Sequence, residues 1–318
     1  MESIERIKLM VQVAKMYYEY EQTQQEIANQ LEISRPTVSR LLAQCRQEGI
    51  VQISIHNPLG YCSDLEEIFR EKFGLKEVII SPLTGDDQLK LLAEVAAKYL
   101  YRIVKDGDIL GVAWGNTLQN VSKVLKRKKL SNIKVVQMKG GMGVSGSNIH
   151  ASQIVEKFSE AYSGKAFFLP VPAIVDTGGV KEAFLSDRSL KRTLEVAGKV
   201  NVAIFSIGAL TSSAAQVEAG YLTLNEVQSL QSKGAVGDIC SRFFTLDGEI
   251  ADPVLDKRTI GINLEELSSK DYSIAIARGK EKAAGILGAL RGGFFNVLIT
   301  DEETATQVLD MGEFEYSL

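Results

Sequence analysis

The sequence predicts an α/β protein with an N-terminal helix-turn-helix domain, residues 1–58, and a larger doubly wound, mostly parallel-sheet domain, residues 59–318. Three observations predict it. Thr23 to Leu42 carries two helix-start signals on either side of a tight bend. From Glu77 onward, short runs of Val, Ile and Leu alternate with amphipathic helical stretches, the pattern of a parallel sheet covered on both faces. Between the two patterns His56-Asn57-Pro58-Leu59-Gly60 breaks the chain.

Ser3 to Tyr20 reads as a helix, with Ile4, Ile7, Val11, Ala14 and Tyr18 spaced to pack on the two helices of the Thr23 to Leu42 stretch. Thr23 and Glu26 form a capping box, and Ile27, Ala28 and Leu31 give the next helix its apolar face. Glu32 and Ile33 form the bend, with Glu32 where glycine is usual. Ser34 caps a second helix and Pro36 sits in its first turn, where a missing N–H costs nothing. Val38, Leu41, Leu42 and Cys45 then share one side, and Pro36, Ser39 and Arg40 the other. A second helix of this kind lies in the DNA major groove. The DNA-facing set is Thr23, Gln24, Ser34, Arg35, Pro36, Thr37, Ser39 and Arg40. Thr37, Ser39 and Arg40 are placed for base edges, and Arg35 and Arg46 for phosphates. Gly49 ends the helix, and Val51 to Ile55 alternates like a strand.

Composition narrows the function classes. With 45% hydrophobic and 24% charged residues the chain is neither disordered nor fibrous. It has no apolar run of bilayer length and no secretory pattern at its start, so a cytoplasmic location without membrane attachment is expected. Cys45, Cys62 and Cys240 lack metal-ligand or disulfide spacing, and Cys45 is expected to be a buried thiol. The net charge is −4. Within residues 1–58, Arg6, Lys8, Lys15, Arg35, Arg40 and Arg46 are outnumbered by Glu2, Glu5, Glu19, Glu21, Glu26, Glu32 and Glu48. Phosphate neutralisation supplies much of DNA affinity, so such a protomer argues for an oligomer with several reading heads.

Ser63 to Phe73 reads as a helix with a Ser63–Glu66 capping box and a Leu65, Ile68, Phe69, Phe73 stripe, closed by Gly74. It serves either as a seam between protomers or as the first core helix of the large domain. The apolar runs beyond it are Glu77 to Ser81, Ile109 to Trp114, Ile133 to Met138, Ala166 to Leu169, Val200 to Gly208, Tyr272 to Ala277 and Asn296 to Thr300. Amphipathic stretches at Leu89 to Val104, Ser152 to Tyr162 and Arg188 to Gly198 lie between them. Ligands of such sheets bind at the carboxyl ends of the strands, which is where chemistry is sought.

Gly115-Asn116-Thr117 joins a strand to a helix, either as an anion seat or as a plain turn. Lys139 offers a charge or an amine, and Gly140 and Gly141 close backbone approach to a ligand. Pro170-Val171-Pro172 supplies a rigid wall, and Gly208 another approach point. Asp238, among apolar neighbours, either caps structure or meets ligand hydroxyls. Arg278-Gly279-Lys280-Glu281-Lys282 places cations at a helix start, against the dipole, which an anionic partner explains. Together these features describe a small phosphorylated sugar.

The segments MYYEY (Met16 to Tyr20), TQQEIANQLEISRPTVSRLL, GIVQISI (Gly49 to Ile55), GVAWGNTL (Gly111 to Leu118), VVQMKGG (Val135 to Gly141), GAVGDICSRFF (Gly234 to Phe244) and GILGALRGGFFNVLITDEETA (Gly285 to Ala305) occur in that order. On them the chain resembles the SorC family, SorC/DeoR-type, of bacterial sugar-responsive transcriptional regulators. The resemblance implies a large effector domain similar to sugar-phosphate isomerases and deaminases, and a homo-tetramer. It places an effector phosphate near Gly115, Asn116 and Thr117 and near Gly279 and Lys282, and a hydroxyl on Asp238. The implied partners are double-stranded operator DNA and a phosphosugar such as deoxyribose 5-phosphate, with no cofactor and no metal. The function expected is repression of a sugar or deoxyribonucleoside catabolic operon. A phosphosugar isomerase or deaminase is the alternative, but only His56 and His150 could supply an imidazole, and His56 lies outside the large domain. Glu32 and Arg278 depart from the family pattern.

Overall fold

A computed structural model describes residues 2–20, 22–51, 63–82, 87–141, 151–211, 217 and 220–314. The chain divides into two compact units, Met1–Pro58 and Leu59–Leu318.

The small unit is built on α1 (Glu2–Tyr18), α2 (Gln24–Gln30) and α3 (Arg35–Gln47). Both expected caps form. Glu26 accepts the Thr23 N–H at 2.8 Å while Thr23 Oγ1 accepts the Glu26 N–H at 3.3 Å, and Ser34 Oγ accepts the Thr37 N–H at 3.3 Å. Glu32 adopts a left-handed φ of 52° in the bend, and Gly49, at φ 73°, comes just after the end of α3. Val38, Leu41, Leu42 and Cys45 are buried against Ile27 and Ala28, as their spacing predicts. The Cys45 thiol donates to the Met10 carbonyl at 3.3 Å. The face expected of α1 requires correction. Ala14 is buried, but Ile7, Val11 and Tyr18 are exposed, and Met10, Val13 and Met16 fill the core. Two apolar stripes run along this helix, and the one carrying the flexible methionines fits the space left by α2 and α3. The side chain of Ile4, and the strand expected to Ile55 beyond Val51, lie outside the described residues, as do His56, Cys62 and His150.

The large unit opens with α4 (Ser63–Phe73), closed by Gly74 at φ 65°, and α5 (Gln88–Ile103) follows the first strand. Phe69 is fully buried, with Leu65 and Phe73 packed beside it, so α4 is a core helix of this unit; Ile68 faces outward. The Glu66 carboxylate accepts the Ile80 N–H at 2.8 Å, tying α4 to the first strand; the Ser63 side chain, and with it the expected capping box, lies outside the described residues. Among the described residues the strands are β1 (Glu77–Ser81), β2 (Ile109–Val112), β3 (Lys134–Gln137), β4 (Lys165–Phe167), β5 (Val202–Phe205), β6 (Ala235–Ile239), β7 (Arg242–Thr245), β8 (Tyr272–Ile276) and β9 (Val297–Asp301). Seven form one sheet in the order β1-β9-β8-β5-β2-β3-β4, with every pair parallel. Successive residues along a strand enter opposite cores: Val202 and Ile204 join one cluster, Ala203 and Phe205 the other. That alternation is the doubly wound architecture read from the sequence. Chain order reverses between β2 and β5, and this switch point opens a crevice at their carboxyl ends. The segment around Asp238, read as an isolated acid, is instead strand β6 of an antiparallel hairpin with β7. Among the described residues, no helix is long and apolar enough to cross a membrane.

Candidate functional site

In the small unit, Arg35, Pro36, Ser39 and Arg40 are exposed along α3, with Arg46 further on. Thr23, Gln24 and Arg35 line one recess beside the start of that helix. Thr37 is half-buried and its hydroxyl lies 2.7 Å from that of Ser34, so both belong to the cap as well as to the expected reading set.

In the large unit a cleft of about 410 Å³ opens at the ends of β2, β5 and β8, a volume within the range of small-ligand sites. Gly115 turns the chain out of β2 at φ 143° and precedes α6 (Asn116–Val124) with no side-chain cap bond. The first N–H groups and the positive end of the α6 dipole therefore serve the cleft, which Gly115, Asn116 and Thr117 all line. A Cβ at Gly115 would meet nothing within 4 Å, so glycine is required there for its backbone angle alone. Lys282 Nζ donates to Ser206 Oγ at 3.4 Å, and Ser206 Oγ to Thr117 Oγ1 at 3.3 Å, which links the ends of β8, β5 and β2. Burial holds the Lys282 amine below the usual lysine range; Arg278 adds to this, and Glu281 and Asp238 oppose it.

Lys139 and Asp238 line the same cleft. Lys139 is 4% exposed, with its ammonium 3.8 Å from the Trp114 ring centroid. Asp238 is brought in by β6, whose backbone exchanges two hydrogen bonds with Gly208, at 2.9 and 3.1 Å. Its Oδ2 accepts the Ser241 N–H at 2.9 Å, so the carboxylate caps the hairpin turn and also faces the cleft. Cys240 and Ser241 both hold positive φ there, at 54° and 65°. Burial pushes the Cys240 thiol up to about 11, with Asp238 adding to the effect and Lys139 and Arg242 opposing it. Arg242, 2% exposed, donates to the carbonyls of Ile262 at 2.7 Å and Gly261 at 3.1 Å and pairs with Asp256. The strand-like bridge from Gly261 backs Lys139.

Three of the expected residues do not line the cleft. Gly140 and Gly141 donate to Ile260 and Val171 carbonyls at 2.9 and 2.8 Å. Added Cβ atoms would lie 2.3 Å from the Pro172 carbonyl and 2.7 Å from the Ala151 Cβ. Gly140 is small against the Val171-Pro172 backbone and Gly141 against Ala151, Gln137 and Trp114, and neither lines the cleft. Gly279, at φ 110°, gives its N–H to Thr304 Oγ1 at 2.8 Å and serves to turn the chain toward Lys282. Within the basic turn Arg278 pairs with Asp301 at 2.8 Å and Lys280 with Glu303 at 2.7 Å, leaving Lys282 as the turn's lysine in the cleft. Trp114, Ser206 and Glu281 line the cleft without having been singled out from sequence; position at a strand end was the available signal for the first two. No group of three or more His, Cys, Asp or Glu gathers to hold a metal among the described residues.

Residues 57–310 match the family described as "Putative sugar-binding domain", and residues 11–59 match the Crp-like helix-turn-helix domain. The chain is 38% identical to the deoxyribonucleoside regulator of Bacillus subtilis, across 96% of this chain and 98% of that protein. It is 31% identical to the sorbitol operon regulator of Klebsiella pneumoniae, across 97% of this chain and 100% of that protein. The crystal structure of the full-length Klebsiella regulator superposes with a TM-score of 0.74, covering 96% of this chain and 99% of that one. These relatives are named as regulators, not as enzymes. The chain belongs to the SorC/DeoR-type family of sugar-responsive regulators, which joins a helix-turn-helix to a sugar-binding domain.

Proposed function

We propose that this chain is a transcriptional repressor of a sugar or deoxyribonucleoside catabolic operon, released from its operator by a phosphorylated sugar. Residues 1–58 read DNA through α3, and residues 59–318 bind the effector and hold a tetramer together. The observation that carries the reading is the polarity of the cleft. The cleft combines the α6 N-terminus and Lys282, which suit a phosphate, with Lys139 and Asp238, which suit carbonyl and hydroxyl oxygens. Deoxyribose 5-phosphate has all three kinds of group, and the name of the Bacillus relative favours it. The excess of Glu over Arg and Lys in residues 1–58 supports an assembly with several reading heads.

Release requires that the effector bind the DNA-free arrangement more tightly than the bound one. Gel shifts on the operator with a panel of phosphosugars test this. The expected result is loss of the complex with one of them; no change in affinity or assembly with any would overturn it. At Lys139 an aldehyde either accepts an ion contact or condenses with the amine to an imine, releasing water. Borohydride treatment with deoxyribose 5-phosphate, followed by peptide mass spectrometry, separates the two: a reduced adduct at Lys139 marks the imine, and its absence the ion contact.

A further inference from the structure

We propose that Trp114 is the positioning residue of the cleft, its indole holding the Lys139 ammonium and the backbone just beyond it in place for the effector. The inference rests on the effector reading above and adds a residue to which neither the family match nor any relative's name assigns a role.

A buried ammonium is costly unless something compensates it. Lys139 is 4% exposed, and among the described residues no carboxylate lies within ion-pair distance of its Nζ. What the ammonium meets is the face of Trp114, 3.8 Å from Nζ to the ring centroid. Tryptophan has the strongest cation-attracting face of the aromatic side chains, and the attraction grows when both partners are withdrawn from water. Trp114 is itself 5% exposed and tilts against Tyr221, with ring centroids 6.3 Å apart. The same indole donates its Nε1–H to the Gly140 carbonyl at 2.6 Å. One ring therefore fixes both the charge of Lys139 and the peptide next to it. An aromatic face attracts the cation without neutralising it, so the full charge stays available to an entering oxygen. A carboxylate in the same place would compete with the ligand.

Trp114 is also the chain's single tryptophan, so all its indole emission comes from this wall of the cleft. Two measurements on the full chain test the proposal. The first compares ligand-free emission of wild type and Lys139→Met. An ammonium over an indole quenches it by excited-state proton transfer, so Lys139→Met is expected to emit more strongly; equal intensity and wavelength would overturn the contact. The second is calorimetric titration with deoxyribose 5-phosphate of wild type, Trp114→Phe and Trp114→Leu, with circular dichroism confirming the fold of each. Trp114→Leu is expected to bind about tenfold more weakly, and Trp114→Phe, which keeps a ring face but lacks the N–H, to fall between. Equal affinity in all three would overturn positioning. If wild type binds no phosphosugar, the effector reading fails, and the emission comparison still decides whether Trp114 holds Lys139.

Discussion

Gly208→Ala tests the joint between the hairpin and the sheet. A Cβ at Gly208 would lie 2.0 Å from Asp238 Oδ1, well inside any allowed contact. The two backbones cannot separate without breaking their reciprocal bonds at 2.9 and 3.1 Å, so the Asp238 side chain must rotate instead. Rotation removes the Oδ2 bond to Ser241 N–H, a charge-assisted bond at a fully buried residue, worth about 1.5–3 kcal/mol. It also releases the turn that holds Cys240 and Ser241 at positive φ. With residual crowding of about 1 kcal/mol, the expected loss is about 3 kcal/mol. At about 2 °C per kcal/mol for a domain of this size, the melting temperature should fall by about 6 °C. Gly178→Ala is the control, since a Cβ there meets nothing within 4 Å and sits at the start of a helix. Differential scanning calorimetry of the full chain reads both. A Gly208→Ala melt within about 1 °C of wild type would refute the reasoning, because it would mean Asp238 is not held where the hairpin places it.

Three further outcomes can be measured. Arg40→Ala should weaken operator binding by about 1–3 kcal/mol and relax discrimination at one base pair, whereas Arg46→Ala should weaken all sequences alike and lower the salt slope by about one; anisotropy titrations at several salt concentrations separate them. Lys282 is held below the usual lysine value of 10.5, so between its depressed value and 10.5 the unfolded chain binds more protons and stability rises with pH. A phosphate favours the ammonium, so in that same window binding takes up protons and affinity falls as pH rises; calorimetry in buffers of different ionisation enthalpy should show the uptake, and Lys282→Met should abolish it. Glu32→Gly relieves a left-handed residue at φ 52° and should stabilise the small unit by about 1 kcal/mol, read as a higher urea midpoint.

The fold was legible where periodicity and chain direction carry it. Each of the seven apolar runs from Glu77 onward overlaps a strand of the parallel sheet, because burial on both faces leaves only apolar residues tolerable. Caps at Thr23 and Ser34 located α2 and α3 because each satisfies backbone groups within a few residues. The register of α1 was not legible. Two stripes along it have helical spacing, and only the shape of the neighbouring helices decides which is buried. The hairpin escaped for a different reason. Its turn runs through Cys240 and Ser241, neither a usual turn residue at positive φ, so no local signal separates β6 from β7.

The same distinction explains the cleft. Lys139, Asp238, Thr117 and Lys282 could be named because strand ends on a doubly wound sheet converge, and polar groups there stand out from the apolar runs. Gly140 and Gly141 lie outside the cleft lining, since glycine marks any close approach and sequence does not say whether a ligand or the protein itself comes close; here Pro172 crowds Gly140, and Ala151, Gln137 and Trp114 crowd Gly141. Trp114 was hidden by the opposite effect, since a large apolar residue at the end of a buried strand reads as core. Its contact partner lies beyond the next strand in sequence but beside it in space, because β2 and β3 are parallel neighbours in register from Ile109↔Lys134 to Val112↔Gln137. Extending that register by two residues sets Trp114 opposite Lys139. A cation placed beyond one parallel strand by the same offset as an aromatic beyond its neighbour is thus a cue that could be read once strand order is known.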